Sequence, residues 1–163
     1  MNLYILRHGK AGHPSGQDDA TRALTAEGRR EIRKIARWMQ KEKIRFDTIA
    51  TSPLVRARET AEIVARALAR KDRLEVWDEL GPGGDPDTIC YHAVQEGKDA
   101  AVLLVGHEPD LSGLIGRIIT GRGRASLALT KGGCAKIRSL MYEKRPSGEL
   151  QWLLTPSQMI AMR

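Results

Sequence analysis

Aromatic residues are scarce in this 163-residue sequence, at 4%, and cysteine occurs twice. Cys90 and Cys134 cannot build the disulfide framework of a small secreted domain, and they lack the paired spacing of a structural zinc site. Both are expected as buried or incidental thiols. Trp38, Trp77 and Trp152 are too few and too scattered to form a stacking platform for single-stranded nucleic acid. Long apolar runs are missing as well: Ala100 to Val105 falls far short of the ~18 residues that cross a bilayer. No Gly-x-x-x-x-Gly-Lys-[Ser/Thr] loop and no dinucleotide-type glycine fingerprint follows a strand, which argues against nucleotide-dependent transfer. Met1-Asn2 leads straight into Leu3-Tyr4-Ile5-Leu6 without a basic segment or a small-residue cleavage site, so a cytoplasmic protein with no membrane partner is expected.

What is present is ordinary in amount and uneven in sign. Hydrophobic residues make up 41% and charged residues 29%, as in a folded globular chain. Lys and Arg number 27 against 20 Asp and Glu, a formal net charge of +7. That excess suits nucleic acid, an anionic surface or a phosphorylated substrate equally well. The length predicts a single domain over 1–163.

Strand-like and helix-like stretches alternate along the chain. Leu3–Leu6, Asp47–Thr51, Leu74–Trp77 and Ala101–Val105 read as strands. Thr25 is a fitting N-cap for a helix bearing Ile32, Ile35, Ala36 and Met39 on one face, and a second helix carries Ala57, Ala61, Val64, Ala65 and Leu68. Helices are also predicted over Asp87–Glu96 and Pro109–Thr120, and the polar stretch from Arg7 to Leu24 reads as a long loop. Leu127–Leu129, Ala135–Met141 and Leu150–Leu154 look like further strands, with a hairpin turn at Arg145-Pro146-Ser147-Gly148. This alternation predicts an α/β fold: a mostly parallel sheet covered on both faces, with an antiparallel edge.

Ligands of such sheets bind beyond the carboxyl ends of the strands. Arg7-His8-Gly9 follows the first strand, Ser52-Pro53 with Arg56 follows the second, and Gly106-His107-Glu108-Pro109 follows Ala101–Val105. Two histidines and two arginines therefore converge on one crevice. Histidine is an uncharged nucleophile near neutral pH and can form a covalent intermediate. The arginine fork meets phosphoryl oxygens with paired hydrogen bonds, and a second, protonated histidine supplies one more donor. Gly9 lets the backbone turn sharply and a ligand approach closely. His13 and His92 show no ligand spacing and read as structural or exposed, and Glu108 as a stabiliser of the following helix.

These residues resemble the histidine phosphatase superfamily, which includes the phosphoglycerate mutases, and within it the short SixA-like phosphohistidine phosphatases. The matching pieces are Leu6-Arg7-His8-Gly9, Arg22-Ala23-Leu24-Thr25-Ala26-Glu27-Gly28, Thr51-Ser52-Pro53 with Arg56-Ala57 and Glu59-Thr60-Ala61, Glu79-Leu80-Gly81-Pro82 with Gly84-Asp85, and Val105-Gly106-His107-Glu108-Pro109. The resemblance implies a three-layer α/β/α sandwich of the phosphoglycerate mutase type, with no metal or other cofactor. It implies that His8 accepts a phosphoryl group whose oxygens Arg7, Arg56 and His107 hold, with Arg22 as a further ligand. Glu79 stands where larger members place a general acid, and Asp85 is the alternative. A phosphohistidine substrate needs little such help, because its leaving nitrogen is already basic.

The expected activity is removal of phosphate from phosphohistidine in a signalling or carrier protein. Two alternatives stand beside it: a phosphatase of a small phosphorylated metabolite, and a basic, non-catalytic module that binds phosphate or nucleic acid. A nucleophile in the set argues against the second, so nucleic acid is not the expected partner. Lys10 departs from the acidic residue common after the glycine, and with the arginine-rich helix (Arg56, Arg58, Arg66, Arg70) it strengthens the pull on anions.

Overall fold

A run of apolar residues with no polar break can form a strand only where both faces are covered, and two strands of this chain meet that condition. In a computed structural model, which describes residues 1–13, 18–123 and 125–162, β1 (Asn2–Arg7) and β4 (Ala101–Gly106) lie side by side and parallel, Leu6 across from Val105 and Arg7 across from Gly106. Along both strands the side chains alternate between two cores. Leu3, Ile5, Val102 and Leu104 enter one; Tyr4, Leu6, Leu103 and Val105 enter the other. Full burial of one such Leu or Ile contributes about 1.5–3 kcal/mol.

β2 (Thr48–Thr51) pairs in parallel with β4, and the short β3 (Leu74–Val76) pairs in parallel with β2. On the other side β5 (Cys134–Tyr142) runs antiparallel to β1, and β6 (Pro146–Leu154) antiparallel to β5. The sheet thus has six strands in the order β3-β2-β4-β1-β5-β6.

Helices α1 (Ala26–Lys41) and α2 (Val55–Ala67) cover one face through Ile32, Ile35 and Met39 and through Ala57, Ala61 and Val64. Helices α3 (Pro86–Gln95) and α4 (Asp110–Thr120) cover the other through Ile89 and Ala93 and through Leu111, Leu114 and Ile118. The expected three-layer α/β/α arrangement with its antiparallel edge is present. Thr25 caps α1 as expected, accepting the Gly28 N–H at 3.0 Å. A Cβ on Gly28 would lie 2.3 Å from the Lys10 carbonyl, so glycine there lets the loop after β1 lie against the helix.

Two expectations are corrected and one element was missed. Residues 127–129 form no strand; only Leu129 is deeply buried, and the Leu127 and Leu129 carbonyls serve side chains of Ser112 and Arg7 instead of a ladder. The hairpin reverses earlier than expected, over 143–145. Pro146 stands at the end of an edge strand, where a missing N–H costs no ladder bond, and Gly148 packs against Ile137. The missed element is a six-residue helix: α5 (Pro156–Ala161) opens with a capping box between Thr155 and Gln158 and buries Met159 on the side of α1. Among the described residues no helix is long and apolar enough to cross a membrane.

Candidate active site

The β1–β4 pairing delivers His8 and His107 to the same end of the sheet. His8 N–H bonds the Gly106 carbonyl at 3.1 Å, and the two imidazole centroids stand 5.1 Å apart. β2, on the far side of β4, brings Ser52 to this end, and the first turn of α2 brings Arg56. His8, His107 and Arg56 are 6%, 4% and 4% exposed. The four residues expected at the site are placed at one end of the sheet, with His8 bonded to Arg56 and its ring tilted at 52° to that of His107.

Hydrogen bonding determines which nitrogen of His8 is reactive. Nδ1 lies 2.7 Å from the Gly9 carbonyl, which can only accept, so Nδ1 carries the proton. Nε2 therefore bears the lone pair, and Arg56 donates its Nε–H to it at 3.4 Å. Around this pair Thr60 accepts the Gly9 N–H at 3.2 Å and donates to the Arg56 carbonyl at 2.7 Å, tying the loop after β1 to α2. Gly9 is required by packing: a Cβ there would lie 2.8 Å from Ile32.

Burial, opposed by the bond to Gly9 and reinforced by His107, Arg56 and Arg7, pushes the His8 ring down to about 4. Burial and the Arg56 charge push His107 down to about 4 as well. The second histidine is thus neutral at pH 7, not protonated as the sequence reading expects, because burial and the charges of Arg56, Arg22 and Arg7 oppose its proton. His107 Nε2 meets Ser52 Oγ at 2.7 Å, while its Nδ1 is buried with no partner. The sequence reading placed Ser52 at the end of the second strand without giving it a role; the bond to His107 supplies one. Arg7 donates from Nη1 to the Leu129 carbonyl at 3.0 Å, and its Nε is buried without a partner.

The more distant candidates part company here. Arg22 reaches the site through Asp19, its Nε 2.8 Å from Asp19 Oδ1, though not at a hydrogen-bonding angle. Asp19 also takes Arg56 Nη2 on Oδ2 at 3.0 Å and Arg56 Nη1 on its main-chain oxygen at 2.8 Å. Nothing in the sequence marked Asp19 apart from its place in a long polar loop.

Glu79, on a single 3₁₀ turn at Asp78–Leu80, holds its Oε1 2.5 Å from His92 Nδ1, and that ring stacks on Trp77 at 3.7 Å. Asp85 caps α3 by accepting from the Thr88 N–H and hydroxyl, which holds its carboxyl below the usual range; it is ionised at neutral pH and has no proton to give. Lys10 is paired with Glu27 at 2.6 Å on the surface, which offsets the extra charge expected from it. Both cysteines are free and buried. Among the described residues no three His, Cys, Asp or Glu side chains are grouped as metal ligands would be.

The arrangement is one unprotonated ring nitrogen ringed by guanidinium and imidazole groups, suited to an incoming phosphoryl group. Comparison with known proteins agrees. The model of the histidine phosphatase superfamily (branch 1) matches residues 3–81. Phosphohistidine phosphatase SixA of Escherichia coli is 28% identical over 96% of this chain and 94% of its own. The phosphohistidine phosphatase SixA homolog of Haemophilus influenzae is 30% identical over 73% of this chain and 75% of its own. A solved structure of the protein histidine phosphatase SixA complexed with tungstate superposes with a TM-score of 0.84 at 27% identity, covering 96% of this chain and 98% of that one. From the β1 motif to the order of the sheet, the chain belongs to the histidine phosphatase superfamily and is SixA-like.

Proposed function

We propose that this chain removes phosphate from phosphohistidine in a signalling or carrier protein, through a phosphoryl group held transiently on His8 and without a metal or other cofactor. The observation that carries the reading is the state of His8: Nδ1 committed to the Gly9 carbonyl, and Nε2 unprotonated and accepting from Arg56.

In the first step the Nε2 lone pair forms a bond to phosphorus as the bond from phosphorus to the substrate nitrogen breaks. The electron pair of that bond stays on the leaving imidazole, which takes a proton from solvent. Arg7 and Arg56 hold the non-bridging oxygens, with Arg22 joined to Arg56 through Asp19. With Ser52 donating to His107 Nε2, the Nδ1–H of His107 is the unpaired donor that a phosphoryl oxygen would complete. In the second step water attacks phosphorus, the bond to Nε2 breaks, and inorganic phosphate leaves.

Glu79 favours phosphohistidine over an ester. An alkoxide leaving group needs a proton from a positioned acid, and Glu79 is engaged with His92. The leaving nitrogen of phosphohistidine takes its proton before or during cleavage without such an acid. The names of the E. coli and H. influenzae relatives point the same way.

The test is a substrate panel of a phosphohistidine peptide against phosphoserine and sugar phosphates, with labelled protein trapped at neutral pH. We expect kcat/KM for the peptide to exceed that for the esters by about a hundredfold or more, with label on His8. Equal or better turnover of the esters would establish the small-metabolite phosphatase instead.

A further inference from the structure

We infer that Asp19 is a specificity-determining residue: its carboxylate rests on the guanidinium of Arg56 where a phosphoryl group would bind, so that a doubly charged anion displaces it and a singly charged one does not. The inference rests on the proposed role of Arg56.

The geometry is that of a surrogate ligand. Arg56 directs Nη1 and Nη2 to Asp19 and Nε to His8. The Arg56 side chain is 5% exposed and that of Asp19 61%, so the acid lies over the buried arginine from the solvent side. The other oxygen of the same carboxylate faces Arg22 at 2.8 Å, so it bridges two of the cations assigned to phosphate. Its charge is felt at the His107 ring as well, where it works against the three arginines. Desolvation, the largest single influence on it, pushes the Asp19 carboxyl up, but Arg56 and Arg22 together outweigh it and hold the group below its ordinary range, so it is ionised at neutral pH.

An exposed carboxylate of this kind is held weakly and regains its hydration on leaving. A phosphoryl dianion on the same guanidinium gains twice the charge interaction, and exchange is downhill. A carboxylate or a phosphodiester offers one charge for one, and gains nothing. Neighbouring Asp18 is the natural control: it caps the Asp19–Thr21 turn through the Ala20 N–H and has no bond to Arg56.

Titration calorimetry at pH 7.5 with tungstate, a dianion, and dimethyl phosphate, a monoanion, tests the inference. Asp19→Asn should bind tungstate about tenfold more tightly than the native protein. It should also bind dimethyl phosphate measurably, whereas the native protein does not. Asp18→Asn should match the native protein within about twofold. Unchanged or weaker tungstate binding by a folded Asp19→Asn, or an equal gain from Asp18→Asn, would overturn it.

A crystal structure of the native protein with tungstate decides the matter even if the variant fails to fold: Asp19 off Arg56 supports the inference, and Asp19 still on it refutes it. Tungstate binding that depends on Arg56 but not on Asp19 removes this inference alone. Binding indifferent to Arg56→Ala removes the proposed function with it.

Discussion

His8 and His107 on one side, and His92 on the other, show how the same ring is put to different use by its setting. The first two stand at the ends of adjacent buried strands, 5.1 Å apart, among arginines and with no carboxylate bonded to them. His92 stands on α3 with its side chain 41% exposed, one face on Trp77 and Nδ1 on Glu79. Burial and nearby positive charge keep the strand-end rings neutral and leave His8 Nε2 unprotonated, accepting only from Arg56. At the rim, the ring is spent on a carboxylate. The lesson is that the bond each ring makes, more than the number of histidines near the crevice, separates nucleophile from support.

The sharpest way to break this contrast is to remove the unprotonated nitrogen. His8→Ala should abolish turnover and protein labelling while the circular dichroism spectrum stays native. Arg56→Ala should lower kcat by about 10²–10³, by analogy with loss of one preorganised oxyanion donor; a loss under about tenfold would show that Arg56 does not hold the phosphoryl group.

Acid should expose the dry pair next. Both rings titrate near 4 when folded and near 6.5 when unfolded, so between those values the unfolded chain binds more protons and stability rises with pH. The contribution is whole above pH 6.5 and is lost as pH falls toward 4, on the order of 3 kcal/mol for each ring. Thermal melts of native protein and His107→Gln from pH 7 to 4.5 should show the variant losing less, and phosphate should lessen the native loss by favouring charged rings. Smallest of all should be the rim pair: Glu79→Gln should change phosphohistidine turnover by less than about tenfold. A larger loss would make Glu79 a proton donor and erase the distinction drawn above.

Much of the architecture was legible because Leu3–Leu6 and Ala101–Val105 are apolar without interruption and each ends in a histidine within two residues. The site was legible for the same reason, since strand ends gather whatever follows them. What could not be read depends on contacts across the chain. Leu127–Leu129 has the composition of a strand, yet its carbonyls are claimed by Arg7 and Ser112. Asp19 lies 37 positions from Arg56, and no periodicity in a polar loop announces that meeting. Glu79 and His92 are 13 apart and meet only because the glycine-rich loop folds α3 back over the turn. The signal for α5, by contrast, was in plain view as Thr155-Pro156 followed by Gln158.

The rung that joins Arg7 to Gly106 sets where chain length can vary. Each reactive ring leaves the sheet directly after that rung, so losing one amino acid inside either strand would slide its ring by about 3.3 Å and turn it to the opposite face. Insertions and deletions are therefore barred from the two central strands, while the hairpin tip at 143–145 and the approaches to the crevice remain free to lengthen. Descendants of such a scaffold can acquire new appetites by growing loops around an anion cradle that never moves.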